Sequence, residues 1–508
     1  MLRNEADLHG LSELQEEAGG YEETEMSDWQ QLIAKYEQEI AGVPLETVRF
    51  AEEHMGIISS PNHFGEEMDD AALIEKMIAF ESERLGLDPN LSLHSQLGED
   101  DFVLLDASLS ITSVIKNSTL GQDQDITRES VTLRQAFEAV VREAAELARI
   151  HKRWVSIEHD KKSKPEVIAK SIAIGVKLVR EYVEQFGEEP EAIVLTSSFL
   201  PNDMAELVID QALLEGVLTK KPKHYEIRLY CAGTVAALEV ILANPVFSEM
   251  SNVAILALEP ISALIEDRHY SIEDNRFQSA VIFSDDFLIM RVQPSEFYLR
   301  PESILRAIDD RGVIKLDSWS EFPSSGNSLQ RADWLQHLLG EDSQDILFID
   351  ETHMIIHMQS PEEDQPRAEM NPKATAKFFS FHSVLIILEI LKQVEIKHIH
   401  NHEPSGGVIV ITDHGVTKKI SRNPDLILQA PESVPKLIFL GVGNSSSGTF
   451  LRQLVESAKK GLLSDRAFRE TTLGYAPGAG ATFAAAVIEA RKTAQTEEIT
   501  IFSAPDSD

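Results

Sequence analysis

Tyr225-Glu-Ile-Arg-Leu-Tyr230-Cys231-Ala-Gly-Thr-Val-Ala-Ala-Leu-Glu-Val-Ile-Leu-Ala243 reads as a strand handing over to a helix. Tyr225 to Tyr230 is a short run rich in aromatic and branched residues. From Cys231 onward the apolar residues fill a helix nearly all round, which marks a buried helix. The same texture continues on both sides. Glu191-Ala-Ile-Val-Leu-Thr follows the turn signal Pro190 and reads as a buried strand, as do Val253-Ala-Ile-Leu-Ala-Leu and Ser279-Ala-Val-Ile-Phe. Amphipathic helices are expected at about 129–151, 165–186 and 202–216, and a further short strand at Asp101-Phe-Val-Leu-Leu-Asp. Continuous apolar strands alternating with helices predict an α/β protein whose sheets are covered on both faces.

Beyond residue 294 the pattern loosens. Polar, proline-rich pieces such as Glu321-Phe-Pro-Ser-Ser-Gly and Ser360-Pro-Glu-Glu-Asp-Gln-Pro read as surface insertions within 294–373, with Ile346-Leu-Phe-Ile a strand between them. The α/β texture returns with a helix at about 376–393, strands at Val408-Ile-Val-Ile and Pro435-Lys-Leu-Ile-Phe-Leu, and a helix at about 448–461. A glycine-rich turn at 474–480 is expected to open another apolar helix.

The chain has 508 residues, 43% of them hydrophobic, and its 46 Lys+Arg against 84 Asp+Glu leave a formal charge of −38. Such a balance repels phosphate backbones and anionic lipid, so neither nucleic acid nor a membrane surface is an expected partner. No apolar run is long enough to span a bilayer, and Met1-Leu-Arg-Asn-Glu-Ala-Asp lacks a signal-peptide core. With a single cysteine and therefore no internal disulfide, a cytoplasmic protein is expected. Residues 1–100 read as an acidic, mainly helical N-terminal extension, with helices near 28–41 and 70–86. It serves either as a solvated arm or as a docking segment for a basic partner.

Cys231 is where chemistry begins. At a strand-to-helix turn its sulfur meets the partial positive charge of a helix N-terminus, which favours thiolate, the nucleophilic form. The competing reading is an inert core thiol. His414, in Thr412-Asp-His414-Gly, follows the strand at 408–411, and Asn444, in Gly443-Asn444-Ser-Ser-Ser-Gly, opens a helix. An imidazole N–H and a carboxamide NH₂ can donate together to one carbonyl oxygen and stabilise negative charge there. Taken singly, each also reads as a structural residue: a strand-end histidine and a helix cap. A second histidine run, His398-Ile-His400-Asn-His402, would place three imidazoles on one face of a strand, a spacing able to hold a metal. Its plainer reading is a polar loop, so no metal site is assigned.

The three motifs together resemble the thiolase superfamily, and within it β-ketoacyl-acyl-carrier-protein synthase III. The carrying features are Cys-Ala-Gly opening a helix, His414 followed by Lys418-Lys-Ile, and Gly-Asn-Ser-Ser 30 residues beyond that histidine. Pro477-Gly-Ala-Gly-Ala-Thr-Phe-Ala-Ala-Ala adds to the likeness, as does Ala257-Leu-Glu-Pro after the nucleophile helix. The resemblance implies a five-layered αβαβα fold of two similar halves, 101–295 and 296–508, forming a homodimer or a heterodimer with a related subunit. It implies no bound cofactor; acyl-CoA or acyl carrier protein thioesters are the substrates. Cys231 would be acylated, His414 and Asn444 would assist condensation with a malonyl- or β-ketoacyl-type thioester, the backbone of Cys231 and Gly480 would form an oxyanion hole, and Leu200 would gate the acyl pocket.

The family's glycine-rich Gly-Asp-Gly-Ala-Gly segment stands here as Phe283-Ser-Asp-Asp-Phe, its His-Gln-Ala-Asn as His414-Gly-Val-Thr, and the residues before the nucleophile are Leu229-Tyr230. These departures point to specialised lipid or secondary-metabolite biosynthesis. They leave open acyl transfer to a hydroxyl or amine, and a non-catalytic subunit of a heteromeric synthase. A local patch such as Lys220-Lys-Pro-Lys would be needed to meet an acidic carrier.

Overall fold

The computed structural model describes residues 23–50, 54–98, 130–148, 150–157, 164–198, 200, 203–227, 229–265, 267–271, 277–309 and 312–315. It further describes 348–349, 354–355, 386–387, 389–390, 393–394, 398–401, 436–438, 443–459, 472–478 and 482–491. Two sheets organise them.

The first sheet has β1 (Glu46–Phe50) and β2 (Met55–Ser59), then β5 (Ala192–Thr196), β6 (Lys223–Ile227), β7 (Val253–Glu259) and β8 (Asp286–Val292), in the order β1-β2-β8-β7-β5-β6. β5 runs parallel to both β6 and β7, and β7, β8, β2 and β1 then pair antiparallel. A small ladder, β3 (Glu66–Asp69) with β4 (Lys152–Val155), stands apart.

The second sheet holds β9 (Phe297–Leu299), β10 (Ile304–Asp309), β11 (Gly312–Lys315), β14 (His398–Asn401), β15 (Lys436–Ile438), β16 (Thr472–Gly478) and β17 (Thr482–Ala490). β14 is parallel to β15 and β16, and β16, β17, β10 and β11 continue antiparallel. The path β15-β14-β16-β17-β10-β11 thus repeats β6-β5-β7-β8-β2-β1 strand for strand. The halves are similar in topology although no short repeat is visible in the sequence. β12 (Phe348–Ile349) and β13 (Met354–Ile355) form a separate ladder.

Strand alternation explains why the first sheet reads as unbroken apolar runs. In β5, Ala192 and Val194 face one core while Ile193 and Leu195 face another; Ile255 and Leu256 of β7 divide in the same way. The inner core lies between the two sheets. It is filled by α6 (Gly233–Ala243) and α8 (Gly448–Lys459), with Val235, Leu238 and Leu454 packed between Met290 of the first sheet and Ala484 of the second. The outer core of the first sheet is covered by α4 (Lys164–Phe186), α5 (Met204–Leu214) and α1 (Glu23–Ile40). A third cluster joins α2 (Asp70–Leu85), α3 (Leu133–Ala148) and α7 (Phe277–Ile282). Among the described residues no helix is long and apolar enough to cross a membrane.

Three expectations need correction. Residues 1–100 are not simply a helical extension, because β1 and β2 lie within them and β2 pairs with β8 in the first sheet. The segment at 279–283 belongs mostly to helix α7, and the strand is 286–292; a short apolar run does not distinguish the two states by itself. The helix expected after the turn at 474–480 is instead the strand β17, in a hairpin with β16. Its alanines have high helix propensity, but their small side chains let α6 pack directly on the sheet, and tertiary packing overrides propensity. The strands proposed at 101–106 and 408–411 lie outside the described residues.

Candidate active site

The first sheet's parallel strands end beside the turns that open α6 and α8, the place where open α/β sheets bind ligands. β6 leads into a single 3₁₀ turn, Tyr230–Ala232, that continues as α6, so Cys231 sits two residues before the helix. Tyr230 takes a left-handed conformation with φ 48°. A bulky residue there is strained, and such strain persists where the surroundings impose it. Cys231 is half-buried, with its sulfur at the N-terminal end of an eleven-residue helix that favours negative charge.

Asn444 arrives from the second half, on the turn between β15 and α8. Its backbone N–H donates to the Ile282 carbonyl at 2.9 Å and its carbonyl accepts from Ser284 N–H at 3.0 Å, bridging it to the first half beside Phe283. Gly443 is required at this crossing, because a Cβ there would overlap the Ser284 side chain. The Asn444 Oδ1 accepts from Ser446 N–H at 2.9 Å and lies 3.9 Å from Cys231 Sγ. That backbone donor fixes which way the carboxamide faces.

Ser446, also left-handed at φ 49°, brings its Oγ to 3.7 Å from the same sulfur. Ser447 closes the turn onto the first half. Its carbonyl accepts from Thr234 Oγ1 at 2.6 Å and its hydroxyl donates to Thr196 Oγ1 at 3.1 Å. Its N–H donates to Glu259 Oε1 at 3.1 Å, and its hydroxyl contacts the same oxygen.

Below the turn lie three buried carboxylates. Glu259 ends β7 and is pushed up to about 8 by burial, against the hydrogen bonds of Ser198 and Ser447. Asp285 is raised by burial and accepts from the N–H and hydroxyl of both Ser156 and Ser262. Burial also pushes Asp286 up, but the Arg452 guanidinium of α8 outweighs it and holds the carboxyl below the usual range. The two form a bidentate pair at 2.8 and 2.7 Å. His63, stacked on Trp154 beside this pair, is lowered to about 3 by burial and by Arg452, and is neutral. The segment Phe283-Ser-Asp-Asp therefore supplies two buried anchoring carboxylates.

Of the sequence-derived site residues, the structure brings Cys231 and Asn444 together. Leu200 is buried in the outer core with Met204 and Ala205. His414 and Gly480 lie outside the described residues. The run at 398–401 is not a loop but β14, the middle strand of the second parallel trio. Among the described residues no group of three or more His, Cys, Asp or Glu could hold a metal. Lys221 of the basic patch is tied to Glu206 and Asp210 at 2.6 and 3.0 Å. The sequence assigns no role to Ser198, Ser446 or Glu259, although an acidic residue ending a wholly apolar strand, Val253–Glu259, is a visible signal.

No family model matches the sequence, and no curated protein matches it. Among solved structures, the chain is similar to 3-oxoacyl-[acyl-carrier-protein] synthase III from Aquifex aeolicus. That likeness has 16% identity over 69% of this chain and 91% of that one, with a TM-score of 0.42. It is also similar to a variant of Xanthomonas campestris OleA, with 10% identity over 88% of this chain and 99% of that one and a TM-score of 0.45. A tetronic acid condensing enzyme matches with 12% identity over the same shares of each chain and a TM-score of 0.44.

Proposed function

We propose that this chain is a thiolase-type condensing enzyme in which an acyl thioester acylates Cys231 and a second thioester then condenses with the bound acyl group. The observation that carries this reading is the convergence of two turns from different halves, with Cys231 Sγ 3.9 Å from the Asn444 side chain at the N-terminus of a buried helix. In the first step the thiolate attacks the thioester carbonyl and the thiol of the donor leaves. In the second, the Asn444 NH₂ and an imidazole donate to the carbonyl of a malonyl- or β-ketoacyl-type thioester and stabilise its enolate, which the malonyl type forms by loss of CO₂; the enolate carbon attacks the acyl carbonyl and the Cys231 thiolate leaves. The donors are acyl-CoA or acyl carrier protein, the chain works as a dimer, Leu200 gates the acyl pocket, and Gly480 N–H completes the oxyanion hole.

The imidazole is His414 by motif spacing. One observation favours His402 as its rival: β14 ends at Asn401 in the middle of the parallel trio, and His402 is the next residue in the chain. Single alanine variants of the two separate them, since only the donor's loss stops the second step. Transfer of the acyl group to a hydroxyl or amine is the alternative fate of the acyl-enzyme.

The test is intact-protein mass spectrometry after incubation with a panel of acyl-CoA thioesters. An adduct of acyl mass on the wild type and none on Cys231→Ala is expected. A wild-type protein that stays unmodified by every donor overturns the reading.

A further inference from the structure

Glu259 has no part in the two steps described, yet its carboxylate is fully buried within reach of the site. Its Oε2 accepts from Ser198 N–H at 3.1 Å, and its Oε1 accepts from Ser198 Oγ at 3.0 Å. Ser198 Oγ in turn contacts Ser446 Oγ, which is the hydroxyl 3.7 Å from Cys231 Sγ. The four groups come from the ends of β5 and β7 and from the turns opening α6 and α8. Because Ser198 donates to the carboxylate, Ser446 donates to Ser198 and its oxygen accepts from the thiol, whose other acceptor in reach is Asn444 Oδ1 at 3.9 Å.

We propose that Glu259 is the proton acceptor for Cys231, reached through the hydroxyls of Ser446 and Ser198. The step balances. The S–H bond breaks and its proton passes to Ser446 Oγ; the Ser446 proton passes to Ser198 Oγ; the Ser198 proton passes to Glu259 Oε1. One negative charge moves from the carboxylate to the sulfur, both serines end as neutral hydroxyls, and Glu259 ends as a neutral acid. This role rests on the reading of Cys231 as an acyl-accepting nucleophile.

Burial supports it from another side. A carboxyl raised to about 8 stands close to the ~8.5 of an ordinary thiol, so the transfer is nearly balanced, and an acceptor tuned near working pH is an effective general base. Of the other buried ionisable groups on the packed elements, Glu226 of β6 accepts from Ala205 N–H, and Glu239 of α6, itself raised by burial, accepts from Ala485 N–H. Asp286, opposite Glu259 in the β7–β8 ladder, is bound by Arg452; Asp285 is held by Ser156 and Ser262; His63 lies against Asp286. The left-handed backbones of Tyr230 and Ser446 flank the contact at the head of the relay.

The test uses the full chain and p-nitrophenyl acetate, an acyl donor independent of the natural one, with Cys231→Ala as background. Acetylation of wild-type Cys231 should rise with pH to a plateau, with its midpoint at about 8, and should slow in deuterium oxide. Ser198→Ala cuts the relay but leaves Glu259 bonded to Ser447. It should lower the rate below pH 8 by about 10²–10⁴, the usual worth of a general base, and abolish the isotope effect, leaving only the limb of the thiol's own ionisation near ~8.5. Glu259→Gln should do the same, and Ser198→Thr, which keeps a hydroxyl, should restore the rate to within a few-fold. Persistence of the wild-type rate and isotope effect in Ser198→Ala overturns the relay, as does a wild-type Cys231 inert to the ester. A protein that accepts acetyl from the ester with the relay signature, but nothing from acyl thioesters, would overturn the condensing function and leave the relay standing.

Discussion

The turn after β6 and the turn after β15 hold the same station in their sheets. Each follows the edge strand of a parallel trio and opens a helix that lies between the two sheets. Their chemistry differs entirely. The first half contributes a sulfur on a tight 3₁₀ turn; the second contributes a carboxamide followed by three serines. Burying both helices against both sheets demands only that each turn be compact, so the side chains on the turns are free to diverge. The duplicated frame then brings two unlike loops to one point. The halves also differ at their far edges. The first sheet finishes with strands that precede its parallel core by well over a hundred residues, whereas in the second β10 and β11 lie on the chain directly after β9.

That comparison can be broken at the seam. Arg452 of α8 and Asp286 of β8 form a fully buried pair across the halves. Arg452→Met would leave the Asp286 carboxylate buried without its partner, at a cost of about 3–5 kcal/mol. Chemical denaturation should show that loss, with part recovered in the double variant Arg452→Met, Asp286→Asn. Gly443→Ala is the next largest. Its new methyl must push Ser284 or the Asn444 turn aside, an overpacking that costs about 1–3 kcal/mol and moves the carboxamide from the sulfur. A lowered Tm together with loss of condensation would show both.

The smallest effect concerns Glu239, on the face of α6 that meets β17, where it accepts from Ala485 N–H at 3.1 Å. Burial raises its carboxyl well above the ordinary glutamate range. The folded protein therefore keeps a proton that the unfolded chain releases near ~4.3. Stability contributed by this group is full below that pH and falls as pH rises towards the folded-state value, by up to about 1.4 kcal/mol per unit. Glu239→Gln keeps the acceptor for Ala485 and removes the titration, so its unfolding free energy between pH 5 and 7 should be flatter than that of the wild type.

What could be read from the sequence follows from the same contrast. β5, β7, α4 and the Cys231 turn announce themselves because a sheet covered on both faces needs unbroken apolar strands, and the helices around it keep a clean period. β17 hides because an alanine-rich strand imitates a helix. β1 and β2 hide in an acidic segment where only Met55-Gly-Ile-Ile carries an apolar run. His398–Asn401 hides because alternating histidines do not look like the interior of a sheet. Cys231 and Asn444 could be paired through motif spacing. The serine relay could not, since Ser198, Ser446 and Glu259 come together only when β5, β7 and the α8 turn are assembled.

The claim at the centre is a division of labour, with acylation carried by Cys231 and its serine relay and condensation requiring the Asn444 carboxamide. Single-turnover analysis of Asn444→Ala tests it, following the acyl-enzyme by intact mass and the condensed product in the same samples. Cys231 should acylate to within a few-fold of the wild-type rate while product formation falls by about 10²–10³, the usual cost of losing one oxyanion donor. Equal loss of both steps, or unimpaired product formation, would contradict the account.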